Sequence, residues 1–147
     1  MISVERVIVV RRPPAELVAY MADFARTEEW DPGTVRCVRL DGGAVRPGAR
    51  WRNTSRFRGR ETELDYELVL LEPARLVFVG ENRTVHATDD LRFADEGTAT
   101  RLTYRASLQF KGFARLAEPF LRAEFERLGD AVAGRLPLAA GHGTPDS

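Results

Sequence analysis

The sequence predicts an α+β fold: a curved, six- to seven-stranded antiparallel sheet wrapped around one long C-terminal helix, with two short helices after the first strand. Three observations predict it. From Val35 to Phe110, apolar residues recur at every second position in segments separated by Gly- or Asp-rich turns. Ala114 to Leu136 switches to the 3.6-residue apolar spacing of a helix. An N-terminal strand is set apart from the others by a helical stretch. Clean alternation means a sheet with one wet and one covered face, and the long helix is the obvious cover.

Each element follows in order. "SVERVIVV" alternates and is β-branched, so it reads as a strand, and "RRPPAEL" ends it. Pro14 suits a first helical turn, where its missing N–H costs nothing. Pro14 to Asp23 then carries Leu17, Val18 and Met21 at helical spacing, with Phe24 next in phase. "FARTEEW" reads as a second short helix and "DPG" as a turn. Strands are expected at Val35–Leu40, Ala49–Arg58, Glu61–Leu71, Arg75–Gly80, Val85–Ala94 and Thr100–Phe110. The helix over Ala114–Leu136 completes a single domain at residues 1–136. The Pro/Gly-rich "PLAAGHGTPDS", residues 137–147, reads as a disordered tail.

Composition narrows the function. The chain has 147 residues, 44% hydrophobic and 30% charged, as in a soluble domain with room for a core. Its 22 basic and 22 acidic residues cancel, which argues against nucleic acid as a partner. The single cysteine, Cys37, forms no intrachain disulfide and reads as a small buried hydrophobe. No Cys/His spacing suggests a metal site, and no cofactor is expected. The apolar run Val7–Val10 is too short for a signal-peptide core. No stretch approaches the roughly 18 apolar residues of a membrane span. The expectation is a cytoplasmic monomer or homodimer with no membrane insertion.

The inward rows are Trp51, Asn53, Ser55 and Phe57; Leu64, Tyr66, Leu68 and Leu70; and Leu102, Tyr104, Ala106, Leu108 and Phe110. Each apolar member reads as core. Asn53, Ser55, Tyr66 and Tyr104 sit in the same rows, and a buried polar group without a partner costs roughly 1–3 kcal/mol. Several at once point to an internal network or a partly wet cavity. On the long helix Phe113, Ala117, Phe120, Leu121, Phe125 and Leu128 fall in one broad apolar sector that includes Glu124. An inward glutamate would be a ligand anchor or a base; a kink at Pro119 would instead turn it away. Trp30 is either a lid over the cavity or an anchor for the short helix.

"VHATDDL" holds His86 beside two acids. Leu91 and Phe93 must face the core, so alternation puts Asp89, Ala87 and Val85 inward and His86 and Asp90 outward. His86 and Asp90 are then roughly 13 Å apart along the strand, too far for a dyad. Only a β-bulge near Thr88 would turn His86 inward.

The order of elements resembles that of the START-like, birch-allergen-like superfamily, also called SRPBCC, and within it the polyketide cyclase/dehydrase-like group. The residues carrying the resemblance are "WDPG" after the first helices, "EPARLVF" between strands, "GTATRLTY" opening the last strand, and "KG" before the long helix. The resemblance implies a helix-grip fold around a deep, mainly apolar pocket. It leaves function open between carriers, receptors and cyclases. The expected ligand is a small hydrophobic molecule: a lipid, an isoprenoid or an aromatic polyketide-like compound. Its candidate contacts are Trp30, Trp51, Asn53, Ser55, Phe57, Tyr66, Asp89, Tyr104, Phe113, Phe120 and Glu124. For the alternative, a polyketide cyclase/dehydrase-like enzyme, Glu124, Asp89, Tyr104 and Tyr66 are the candidate acid–base groups. A regulatory partner protein is the third possibility. Two or more ionisable groups converging in the pocket would favour the enzyme.

Overall fold

Strand β1 (Ile2–Val10) buries Ile2, Val4, Ile8 and Val10 and leaves the residues between them wetter, as its alternation requires. Helix α1 (Pro14–Ala22) follows, then a 3-10 turn (Phe24–Arg26) and the one-turn α2 (Thr27–Trp30). Six strands come next: β2 (Thr34–Arg39), β3 (Arg50–Phe57), β4 (Arg60–Glu72), β5 (Arg75–Glu81), β6 (Val85–Asp95) and β7 (Thr100–Phe110). A second 3-10 segment (Gly112–Ala117) leads into α3 (Glu118–Ala140). This computed structural model describes residues 1–141.

All seven strands form one antiparallel sheet in the order β1-β7-β6-β5-β4-β3-β2. Strands β2 to β7 are a meander, and β1 adds to its last strand. Two register shifts help to bend it, one in β2 between Thr34 and Arg36 and one in β4 between Leu68 and Leu70. The second corrects an expectation. Alternation predicts Leu70 inward, but the extra residue at Val69 moves the next core contact to Leu71, which pairs with Leu76.

Helix α3 lies over β1 and against α2. Gly129 permits the close approach: a Cβ there would sit 2.6 Å from Val4 Cγ1. Arg6 clamps the same level, with Nε donating to Asp130 Oδ1 at 2.9 Å and Nη2 to Glu126 Oε1 at 2.9 Å. The helix runs past its expected end at Leu136, through Pro137, to Ala140. Leu136 and Ala140, one turn apart, are both buried, and Arg12 Nη1 donates to the Ala140 carbonyl at 3.2 Å. That packing outweighs the backbone bond Pro137 forfeits. Of the expected tail, residues 142–147 lie outside the described residues. No helix among the described residues is long and apolar enough to cross a membrane.

Candidate functional site

A cavity of about 180 Å³ lies between the concave face of the sheet and α3. The helix contributes Leu121, Phe125, Leu128 and Val132, spaced four, three and four residues apart, so they form one stripe. The sheet contributes apolar wall from Val4, Leu64, Ala87 and Leu108. The walls grade from buried at Asp89 and Tyr104 to half-buried at Phe57, Thr62, Phe110 and Leu121. The cavity therefore opens at the end formed by the β3–β4 hairpin, the end of β7 and the start of α3.

At the closed end, four ionisable side chains converge: Asp31, Tyr66, Asp89 and Tyr104. Asp89 and Tyr104 occupy neighbouring inner rows of β6 and β7, where Asp89 pairs with Ala106 and Tyr104 with Leu91. The Tyr104 hydroxyl donates to Asp89 Oδ2 over a long 3.5 Å. Trp30 supports Tyr104 edge-on, with ring centroids 5.9 Å apart and planes at 82°. Tyr66 lies flat on β5 at Gly80, its direct cross-strand partner. A Cβ at Gly80 would come within 2.6 Å of the ring, so only glycine leaves room for this orientation.

Asp31 enters from the turn after α2. Its carboxylate accepts the Gly33 N–H at 2.9 Å and the Thr34 hydroxyl at 3.0 Å. The same Thr34 oxygen accepts from Asn53 Nδ2 at 3.1 Å, and Ser55 Oγ donates to Asn53 Oδ1 at 2.6 Å. Polar groups expected in the β3 row thus form the internal network that holds Asp31.

Electrostatics follow from burial. No Lys, Arg or His lines the cavity among the described residues, so its acids have no counter-cation. Burial first, then the nearby charge of Asp31, push the Asp89 carboxyl up to about 7, and the Tyr104 hydroxyl pulls back only partly. Asp31 is also raised by burial, against the Gly33 and Thr34 hydrogen bonds. Burial and the Asp89 charge hold both tyrosines well above their usual range, so they remain O–H donors. No group of three or more His, Cys, Asp or Glu side chains among the described residues is placed to hold a metal ion.

Ser55, Phe57, Tyr66, Asp89 and Tyr104 face the cavity as alternation places them. Trp51 and Asn53 are buried behind its wall, and Trp30, at 2% exposure, is an anchor and not a lid. Phe113 and Phe120 do not line it: they are 93% and 76% exposed. Glu124 is half-buried and ion-paired with Arg127. By helical geometry Phe120 lies about 100° and Glu124 about 60° behind Leu121, outside the stripe that meets the sheet. His86 points outward with no bulge in β6, its Nδ1 3.4 Å from Glu81 Oε2. Asp31 is a site residue that the sequence pattern does not single out. Its only signal was the "DPG" turn, which says nothing about where a carboxylate points.

Residues 1–139 match the family model described as polyketide cyclase/dehydrase and lipid transport. Among solved structures, a START superfamily protein from Mycobacterium smegmatis is similar at TM-score 0.78 and 14% identity, over 94% of this chain and 96% of that one. The Zhui aromatase/cyclase from Streptomyces sp. R1128 is similar at 0.72 and 19%, over 95% and 98%. The di-domain ARO/CYC StfQ of the steffimycin biosynthetic pathway is similar at 0.70 and 14%, over 95% of this chain and 50% of that one. At these identities they share the fold. A search of curated proteins gives no match. The family match runs from the first residue of the chain into the last turn of α3, spanning the sheet and helix that enclose the cavity, and the chain belongs to the polyketide cyclase/dehydrase and lipid transport family.

Proposed function

We propose that the protein binds a small, mainly apolar carbonyl compound in this cavity and catalyses acid–base chemistry on it, of the aldol or dehydration kind. The observation that carries this reading is the convergence of Asp89, Asp31, Tyr104 and Tyr66 at the closed end of an otherwise apolar pocket. A carrier needs apolar walls and one polar anchor; four ionisable groups exceed that. The similarity to aromatase/cyclase structures supports the same direction.

Size limits the ligand. A cavity of roughly 150 Å³ takes benzene, so 180 Å³ suits one ring or two small ones. Larger molecules would project from the mouth.

The roles follow from protonation. With its carboxyl at about 7, Asp89 exists in both forms near neutrality and serves as base and as acid. As base it removes a proton from the carbon beside a carbonyl. The electron pair moves onto the carbonyl oxygen, where the tyrosine O–H groups stabilise the enolate. In a dehydration, the enolate expels its β-hydroxyl as water, protonated by a neutral carboxyl, and leaves the conjugated enone. Asp89, now carrying the proton it removed, is that neutral carboxyl.

The test uses the β-hydroxy ketone formed from benzaldehyde and acetone, whose loss of water gives an absorbing enone. Wild type accelerates the reaction; Asp89→Asn slows it by about 10²–10⁴-fold. Saturable binding of this ketone with no acceleration would overturn the enzyme reading and leave the carrier reading in its place.

A further inference from the structure

We infer that the open end of the cavity is a docking face for an anionic lipid bilayer, on which the protein lies without spanning it. Phe113, Leu116 and Phe120 are 93%, 73% and 76% exposed. They follow one another at three- and four-residue spacing through the 3-10 segment and the first turn of α3. They form an exposed apolar ridge, where a chain of this size keeps large exposed side chains scattered.

Unpaired positive charge flanks that ridge, whereas Glu61, Glu81 and Glu118 at the same end are held by Arg56, Lys111 and Arg122. The chain carries no net charge, and most of its arginines are paired with carboxylates. Four exposed arginines at this end have no carboxylate partner among the described residues: Arg58 and Arg60 on the β3–β4 hairpin, Arg83 in the β5–β6 turn, and Arg115 within the ridge. Arg58 Nη1 reaches the Phe120 carbonyl at 3.5 Å, and Lys111 Nζ the Asn82 carbonyl at 3.0 Å, so hairpin, turn and ridge are neighbours.

Arg58 adds an independent detail. It sits at φ 54 beside Gly59 at φ 78, the two central positions of a two-residue hairpin turn. That conformation favours Asn-Gly. An arginine there is strained, and its guanidinium gives the tip a charge that asparagine would not. Apolar side chains flanked by unpaired guanidinium groups match a bilayer surface, with rings among acyl chains and cations at phosphates. The cavity mouth opens within this face.

The experiment is flotation with vesicles of phosphatidylcholine alone and with about 30% phosphatidylglycerol, alongside light scattering of the free protein. We expect binding to the anionic vesicles only. Phe113→Ser with Phe120→Ser should abolish it. Arg58→Asn should weaken it about fivefold while raising the unfolding temperature by relieving the turn, which separates loss of docking from loss of fold. Absence of binding to anionic vesicles would overturn the inference. So would binding that these substitutions leave unchanged. A dimer dispersed by the Phe substitutions, or capture by an acidic polypeptide in place of vesicles, would overturn it and assign the face to that occupant.

Discussion

At the residue scale the decisive group is Asp89. Its carboxyl titrates near 7 because it is buried and faces the charge of Asp31. Replacing Asp31 by Asn removes that charge, so Asp89 in Asp31→Asn should titrate below 7, read from its carbon-13 carboxyl shift. The raised pKa also sets a stability trend. Below about pH 4 both native and unfolded states hold the proton. Between there and about 7 the unfolded chain releases it while the native state keeps it, so stability falls as pH rises through that window. Asp89→Asn should therefore gain nothing at about pH 4 and on the order of a few kcal/mol at about pH 8, measured by urea unfolding. Gly80 positions a different group. Gly80→Ala would drive a methyl into the Tyr66 ring and should lower turnover of a carbonyl ligand more than it lowers affinity. Alternation was enough to aim Tyr104, Tyr66 and Asp89 inward, because a strand has only two faces. Asp31 was not legible, because a turn has no period.

At the element scale the strands were the most legible feature, their seven spans falling within a residue or two of expectation. The long helix was less so. Its apolar residues cover a wider sector than a single contact can bury, so periodicity alone could not separate Leu121, Phe125 and Val132, which meet the cavity, from Phe113 and Phe120, which meet solvent. Only the approach of α3 to β1 fixes the phase, and Gly129 sets that approach. Alanine at Gly129 would gain about 1 kcal/mol of helix propensity but meet Val4 Cγ1 at 2.6 Å. We expect Gly129→Ala to destabilise by about 1–3 kcal/mol, and Val4→Ala in the same chain to recover part of that loss. Additive losses in the double-mutant cycle would show that the contact does not set the helix position. The same tertiary logic carries the helix through Pro137. Local propensity says stop, but Leu136 and Ala140 are core residues.

At the scale of the whole molecule, the cavity is a standing cost. At about 24 cal/mol per Å³, 180 Å³ that side chains do not pack forgoes at most roughly 4 kcal/mol in a domain whose net stability is on the order of 5–15 kcal/mol. Two raised carboxyls add to it. A fold selected only for stability would have filled the space with larger side chains, and Ala106 marks where it could have done so. Its side chain lies on the cavity floor between Val4 of β1 and Asp89 of β6. Ala106→Leu should hold or raise stability by about 1 kcal/mol, with a melting temperature higher by about 2–4 °C. The same substitution should abolish binding of naphthol, a two-ring probe of the volume the cavity offers, followed by its fluorescence. If naphthol instead bound the variant as well as wild type, the enclosed space beneath α3 would not be the binding site. Ligands would then have to be sought at the mouth, among Phe57, Phe110 and Leu121.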